Sequence, residues 1–115
     1  MNMNITEEQV RKYIAENVSV KVKLYRKGWL LAQAEIQLPG QIIRGCTVKK
    51  SDYPHEDFGE PIWIEPPCYR SKKGNYSKIV YFEEELWKII EKKIFETYKE
   101  KVENSEEINL DDIPL

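Results

Sequence analysis

Apolar residues alternate with polar ones along the middle of this chain and recur every third or fourth residue near its two ends. From Val18 to Tyr25 the alternation is strict. Val18, Val20, Val22 and Leu24 fall on one side, and Ser19, Lys21, Lys23 and Tyr25 on the other. Such a period of two predicts a strand with one buried and one wet face. Lys27-Gly28 marks a hairpin turn. A second strand follows from Trp29 to Leu38, with Leu30, Ala32, Ala34, Ile36 and Leu38 inward and Gln33, Glu35 and Gln37 outward. After the turn signal Pro39-Gly40, a third strand is expected over Gln41 to Lys50. There Ile42, Arg44, Cys46 and Val48 alternate with Ile43, Gly45, Thr47 and Lys49, and the pattern does not decide which set faces inward.

Residues 51–60 are a polar loop, and Pro61 to Glu65 a short fourth strand stopped by Pro66-Pro67. Tyr69 to Tyr76 is a basic, aromatic loop containing glycine, and Ser77 to Phe82 either a fifth strand or an extended lead into a helix. Helical spacing appears twice. Thr6-Glu7-Glu8-Gln9 forms a capping box, and Val10, Tyr13, Ile14 and Val18 follow on one face, so a short helix over about residues 6–16 should pack by that face. A long helix over residues 83–102 opens on Glu83-Glu84-Glu85, where acids favour the positive end of the dipole. Its apolar stripe is Leu86, Trp87, Ile90, Ile94, Tyr98 and Val102. The expected class is α+β: a four- or five-stranded antiparallel sheet with a short N-terminal helix and a long C-terminal helix packed on one face. Residues 1–102 are expected to form a single domain, and 103–115 a disordered acidic tail.

Composition narrows the chemistry. With 41% hydrophobic and 11% aromatic residues in 115, one domain with a real core is expected. No run of about 18 apolar residues could span a membrane, and the start lacks a signal-peptide core, so a cytoplasmic location is expected. Cys46 and Cys68 make no disulfide framework. With only His55 besides, and all three far apart in sequence, no metal site is expected. Cys46 reads as a small buried thiol and Cys68 as a loop thiol. His55, beside Glu56 and Asp57, reads as a surface residue. No phosphate-binding glycine loop, His-Glu-x-x-His or Gly-x-Ser-x-Gly pattern is present, so neither enzymatic activity nor a cofactor is expected.

The formal charge of −2 conceals a polarity along the chain. Residues 103–115 carry five acids and no base, which leaves the rest with 18 bases against 15 acids. Nine bases and two acids fall within 11–50, and Arg70, Lys72, Lys73 and Lys78 stand in 69–82 without an acid. Single-stranded nucleic acid is held by a basic groove along the phosphates and by aromatic faces that stack on bases. The wet side of the first hairpin offers Lys21, Lys23, Tyr25, Arg26, Lys27 and Trp29, with Arg44 and Lys49 beyond. The 69–78 segment offers Tyr69, Arg70, Lys72, Lys73, Tyr76 and Lys78. The plainer alternative is a solvated sheet face whose lysines discourage edge-to-edge pairing. Trp63 and Trp87, among apolar neighbours, read as core or dimer packing.

Two resemblances bear on this. The ending Asp111-Asp112-Ile113-Pro114-Leu115 resembles the C-terminal tip of bacterial single-stranded DNA-binding proteins (SSB), with Leu115 where that family ends in Phe. The resemblance implies that a free terminal carboxylate and apolar residue dock in a basic-lipped pocket on replication, recombination or repair proteins. The body, with Leu38-Pro-Gly-Gln-Ile-Ile-Arg-Gly-Cys-Thr-Val48, Ile62-Trp-Ile-Glu-Pro-Pro67 and Tyr76-Ser-Lys-Ile-Val-Tyr-Phe82 before a closing helix, resembles the SpoVG family of small DNA- and RNA-binding proteins. That likeness implies a dimer contact on the closing helix. The expectation is a homodimer that binds single-stranded DNA, with RNA left open, and recruits partners through its tail. Two alternatives remain open: a SpoVG-like duplex DNA or RNA regulator, and a protein–protein adapter without a nucleic-acid role.

Overall fold

In a computed structural model the chain is described over residues 6–111, with the backbone alone for Arg70, Tyr76 and residues 105–111. The order is α1 (Glu7–Asn17), β1 (Ser19–Lys27), β2 (Leu30–Leu38), β3 (Gln41–Lys50), β4 (Ile62–Glu65), β5 (Cys68–Arg70), β6 (Tyr76–Lys78) and α2 (Glu84–Asp111). This is the α+β arrangement expected. β1 to β4 form one antiparallel sheet in sequence order, and β5 and β6 pair separately. The basic segment after Pro67 is therefore a small hairpin of its own, neither a loop nor a fifth strand of the main sheet. The bounds of α2 run to Asp111, beyond Val102, where its apolar stripe ends.

The capping box at Thr6 is complete, since its hydroxyl accepts from the Gln9 amide while the Gln9 side chain accepts from the Thr6 amide. The helix it starts does not pack as its apolar spacing suggests. No residue of α1 is buried, and Val10 and Tyr13 are exposed. Val18, which caps its C-terminus, is the residue that enters the core. Arg11 ties α1 to the start of α2 through a 2.7 Å ion pair with Glu83.

One face of the sheet is apolar and covered. Val22, Ala32, Ala34, Ile36, Ile43, Cys46, Val48, Ile62 and Ile64 meet Ile90 and Ile94 of α2 there. Ile90 and Ile94 are four residues apart and so point the same way. The 51–60 loop completes the cover. Phe58 stacks on Phe95 of α2 at 4.2 Å between ring centroids.

The open question about β3 has a structural answer: a bulge at Gly45 changes the phase of the strand. Ala34 stands opposite Cys46 but Glu35 opposite Arg44, so Gly45 is the extra residue. Ile43, Cys46 and Val48 therefore all face inward, while Arg44 and Lys49 face out. Gly45 has φ +105°, and a Cβ there would lie 3.4 Å from the Pro67 Cβ. A second bulge at the other end of the sheet pairs Leu30 with Lys49 and Ala32 with Val48. Leu31, the residue between, packs against the core in place of the expected Leu30.

Gly45→Ala puts a side chain on a left-handed backbone against a buried proline. A loss of about 1–3 kcal/mol of stability is expected, read as a lower urea midpoint with an unchanged slope. An unchanged midpoint would mean that the bulge does not need glycine.

Candidate nucleic-acid interface

The face of the sheet opposite α2 collects the side chains that strand alternation turns away from the core. Register places them in rows across the strands. Lys21 stands opposite Glu35, which stands opposite Arg44. The next row is Lys23, Gln33, Thr47 and Glu65. At the far end come Lys27, Leu30, Lys49 and Trp63. Lys21, Lys23, Gln33, Glu35, Arg44 and Gly45 line a shallow depression of about 260 Å³. Gly45 deepens it because it has no side chain. Tyr25 is exposed beside it, and the Lys23 ammonium lies 5.4 Å from the centre of its ring.

Two carboxylates organise these bases. Glu35 accepts from the Arg44 guanidinium at 2.9 Å and from Gln37 at 3.0 Å. The Arg44 bond first, and then Gln37, hold the Glu35 carboxyl below its ordinary range. On β4, Glu65 accepts from Lys49 Nζ at 3.2 Å. In these rows Lys21, Lys23, Lys27, Arg44 and Lys49 outnumber the two acids, so the face is basic with its charges partly paired.

Not every expected residue joins this surface. Trp29 does not share it. The Leu31 bulge turns the strand end over, and Trp29 lines a depression on the α2 side with Leu31, Ile62, Tyr98 and Val102. Arg26 adopts a left-handed backbone at φ +49° and also lies near Tyr98. Burial raises the Tyr98 phenol above its ordinary value, and the Arg26 charge opposes that rise. The β5–β6 hairpin carries exposed Tyr69, with Lys72 and Lys73 at its tip. Arg70 and Tyr76 pair there through their backbones. Lys78 lines a separate depression at the start of α2 with Pro66, Phe82 and Trp87. The hairpin is fastened by Pro67, which packs at Gly45 and accepts from the Ile79 amide. The expected partner-binding tip, Asp112 to Leu115, lies outside the described residues, as does the side chain of Asp111.

Two sequence readings need correction. Of the two roles expected for Trp63, a core position is not the one it has: it is half exposed, between the buried Ile62 and Ile64. Its alternation with those isoleucines is the sequence signal for this. Trp87 is partly buried and stacks on Phe82. His55 is not a surface residue: its side chain is 7% exposed, it stacks on Phe58, and its Nε2 lies 3.1 Å from Glu91. Contacts to Phe58 and Glu91 depend on how the loop folds onto α2, and no local signal announces them. Cys46 is a buried thiol as expected, pushed up to about 12 mainly by burial. Cys68 donates to the Pro66 carbonyl at 3.1 Å.

Ligand atoms of His55, Asp57 and Glu91 lie within 4.8 Å of one another, which raises the question of a metal ion. The donor set answers against it. His55 Nδ1 accepts from the Asp57 amide at 3.0 Å, so Nε2 carries the ring proton and donates to Glu91. Both nitrogens are thus used in fastening the loop to the helix, and a metal at Nε2 would force a proton onto Nδ1 against an N–H group. No helix among the described residues is long and apolar enough to cross a membrane. Compared with known proteins, the chain matches no family model, no curated protein and no solved structure.

Glu91→Ala leaves the buried His55 Nε2–H without an acceptor and should cost about 1–3 kcal/mol in chemical denaturation. Glu91→Gln keeps an acceptor and should cost less. Equal stability of Glu91→Ala and the parent protein would show that the contact does not hold the loop.

Proposed function

We propose that the protein binds single-stranded nucleic acid, DNA foremost, on the helix-free face of its sheet, and that its acidic C-terminal segment recruits replication, recombination or repair proteins. The observation that carries the first part is the grouping of Lys21, Lys23 and Arg44 around one depression with exposed Tyr25 beside it. Lysine and arginine suit phosphate oxygens, and a tyrosine face suits any base. Each stack contributes about 1–3 kcal/mol and tolerates sequence. This combination predicts binding with little sequence preference.

The carboxylates on the face temper its affinity. Arg44 is largely exposed and its bond to Glu35 is a surface ion pair, a class worth only about 0–1 kcal/mol. A phosphate can take over part of the guanidinium at small cost. Among the described residues no helix is presented on this face to enter a major groove, which favours single strands over the duplex reading. Comparison of single-stranded DNA, duplex DNA and RNA at one salt concentration separates these ligands.

The acidic segment acts through charge in two ways. Its five acids are attracted to the basic body and compete with nucleic acid for it. At its end, Ile113 ahead of Pro114 favours an extended backbone, because the residue before proline is pushed out of the helical region. Asp111 and Asp112 beside Ile113 and Leu115 suit a basic-rimmed pocket with an apolar floor on a partner. The protein–protein adapter reading would keep this segment and dispense with the nucleic-acid face.

Anisotropy of labelled oligo-dT tests this directly. The triple change Lys21→Ala, Lys23→Ala and Arg44→Ala should weaken binding. It should also flatten the dependence of log K on log salt by about 0.7 for each phosphate left unneutralised. Removal of residues 103–115 should tighten binding at low salt. Unchanged affinity and salt slope in the triple variant would rule out this face.

A further inference from the structure

We infer that Trp63 is a base-stacking residue of the helix-free face, held ready by Glu65, and that a bound strand crosses the sheet from β1 to β4 instead of following the basic edge of β1. The inference rests on the nucleic-acid reading of this face and adds to it a residue, a support and a direction.

Trp63 lies on the edge strand with 53% of its surface exposed, although Ile62 and Ile64 on either side are 6% and 1% exposed. A large ring left in water on an otherwise well-packed strand calls for a use. The ring is also fixed in place. Its indole Nε1–H donates to Glu65 Oε1 at 3.1 Å, and the other oxygen of the same carboxylate takes Lys49 Nζ at 3.2 Å. His55 lies on its loop side, with ring centroids 6.5 Å apart and planes tilted by 38°. Trp63 also lines a depression with His55, Trp87, Lys88 and Glu91, so it stands at the β4 edge where the helix-free face meets the α2 side. Because the indole N–H already has its acceptor, the exposed part of the side chain is apolar ring, and that ring offers stacking and little hydrogen-bonding choice. Glu65 is accordingly a positioning residue.

Direction follows from register. Trp63 ends the row that starts at Lys27 and passes Leu30 and Lys49, and Tyr25 lies two residues before Lys27 on β1, beneath the Lys23 ammonium. Three strand spacings, about 14 Å in all, separate the aromatic group on one edge from that on the other. Between them lie Lys23, Gln33, Thr47 and Lys49, polar side chains suited to phosphate and sugar. Aromatic groups at both ends with bases between is the arrangement a crossing strand requires. A strand running along β1 would meet Tyr25 and leave Trp63 unused.

A variant carrying Trp29→Phe and Trp87→Phe leaves Trp63 as the sole tryptophan. Titration with unlabelled oligo-dT should quench its emission with the same midpoint as the anisotropy of labelled oligo-dT. Trp63→Ala should weaken binding by about 5- to 150-fold, the range expected when one stack is removed, and Trp63→Phe should restore most of it. Glu65→Leu should lower the quench per bound oligonucleotide while Glu65→Gln preserves it, a pattern that a purely electrostatic Glu65 would not produce. Binding seen by anisotropy, with constant Trp63 emission and parent-like affinity in Trp63→Ala, overturns the inference and leaves the face reading standing. No anisotropy change in the parent protein at low salt overturns the face reading, and this inference with it.

Discussion

A single helix can cover only one side of a four-stranded sheet, and nearly everything about this protein follows from that restriction. Ile90 and Ile94 are wholly buried where α2 lies on the apolar face. The 51–60 loop reaches the rest of that face through the Phe58–Phe95 stack and the His55–Glu91 contact. Among the described residues no second layer is left for the opposite face. Strand alternation then dictates its character, because each inward valine or isoleucine has an outward neighbour that must live in water. In this chain those neighbours include lysines, an arginine, glutamines, two glutamates, two exposed rings and the exposed Ile42.

On the proposed interface, paired charge need not exclude a ligand. Glu35 and Glu65 hold Arg44 and Lys49 in defined positions, which lowers the ordering cost when a ligand arrives. Exposed pairs are weak enough to be traded for phosphate contacts, so they organise the site without closing it. The acidic C-terminal segment belongs to the same electrostatic scheme at longer range. In the proposed function it competes with nucleic acid for the basic body, and salt acts on both attractions together.

Much of the architecture is visible in the alternation itself. The strict pattern of Val18 to Tyr25 puts Lys21, Lys23 and Tyr25 on one surface; the sheet register keeps Lys21 and Lys23 there, and the Tyr25 ring lies under the Lys23 ammonium. The stripe of α2 and the capping box at Thr6 are equally local signals. What escapes is whatever depends on a break of phase or a distant contact. Bulges at Gly45 and Leu31, with a further register shift in β1 between Leu24 and Lys27, break the alternation without any change in residue type. They decide that Arg44 faces out and that Trp29 turns toward α2. The glycine at position 45 is a clue to the first, while a leucine announces nothing. Apolar neighbours suggest a core position for Trp63, yet those neighbours point the opposite way from it. His55 reads as a surface residue because Glu91, its acceptor, lies 36 positions away along the chain.

The most direct test is residue-level mapping by amide chemical shifts as oligo-dT is added to the isotopically labelled protein at low salt. Binding on the helix-free face moves amides of residues 21–25 in β1, 44–49 in β3 and 63–65 in β4 together, saturating at one midpoint and reversing with salt. Shifts confined to α1, α2 or the tip of the β5–β6 hairpin, with the four-stranded sheet silent, would contradict it.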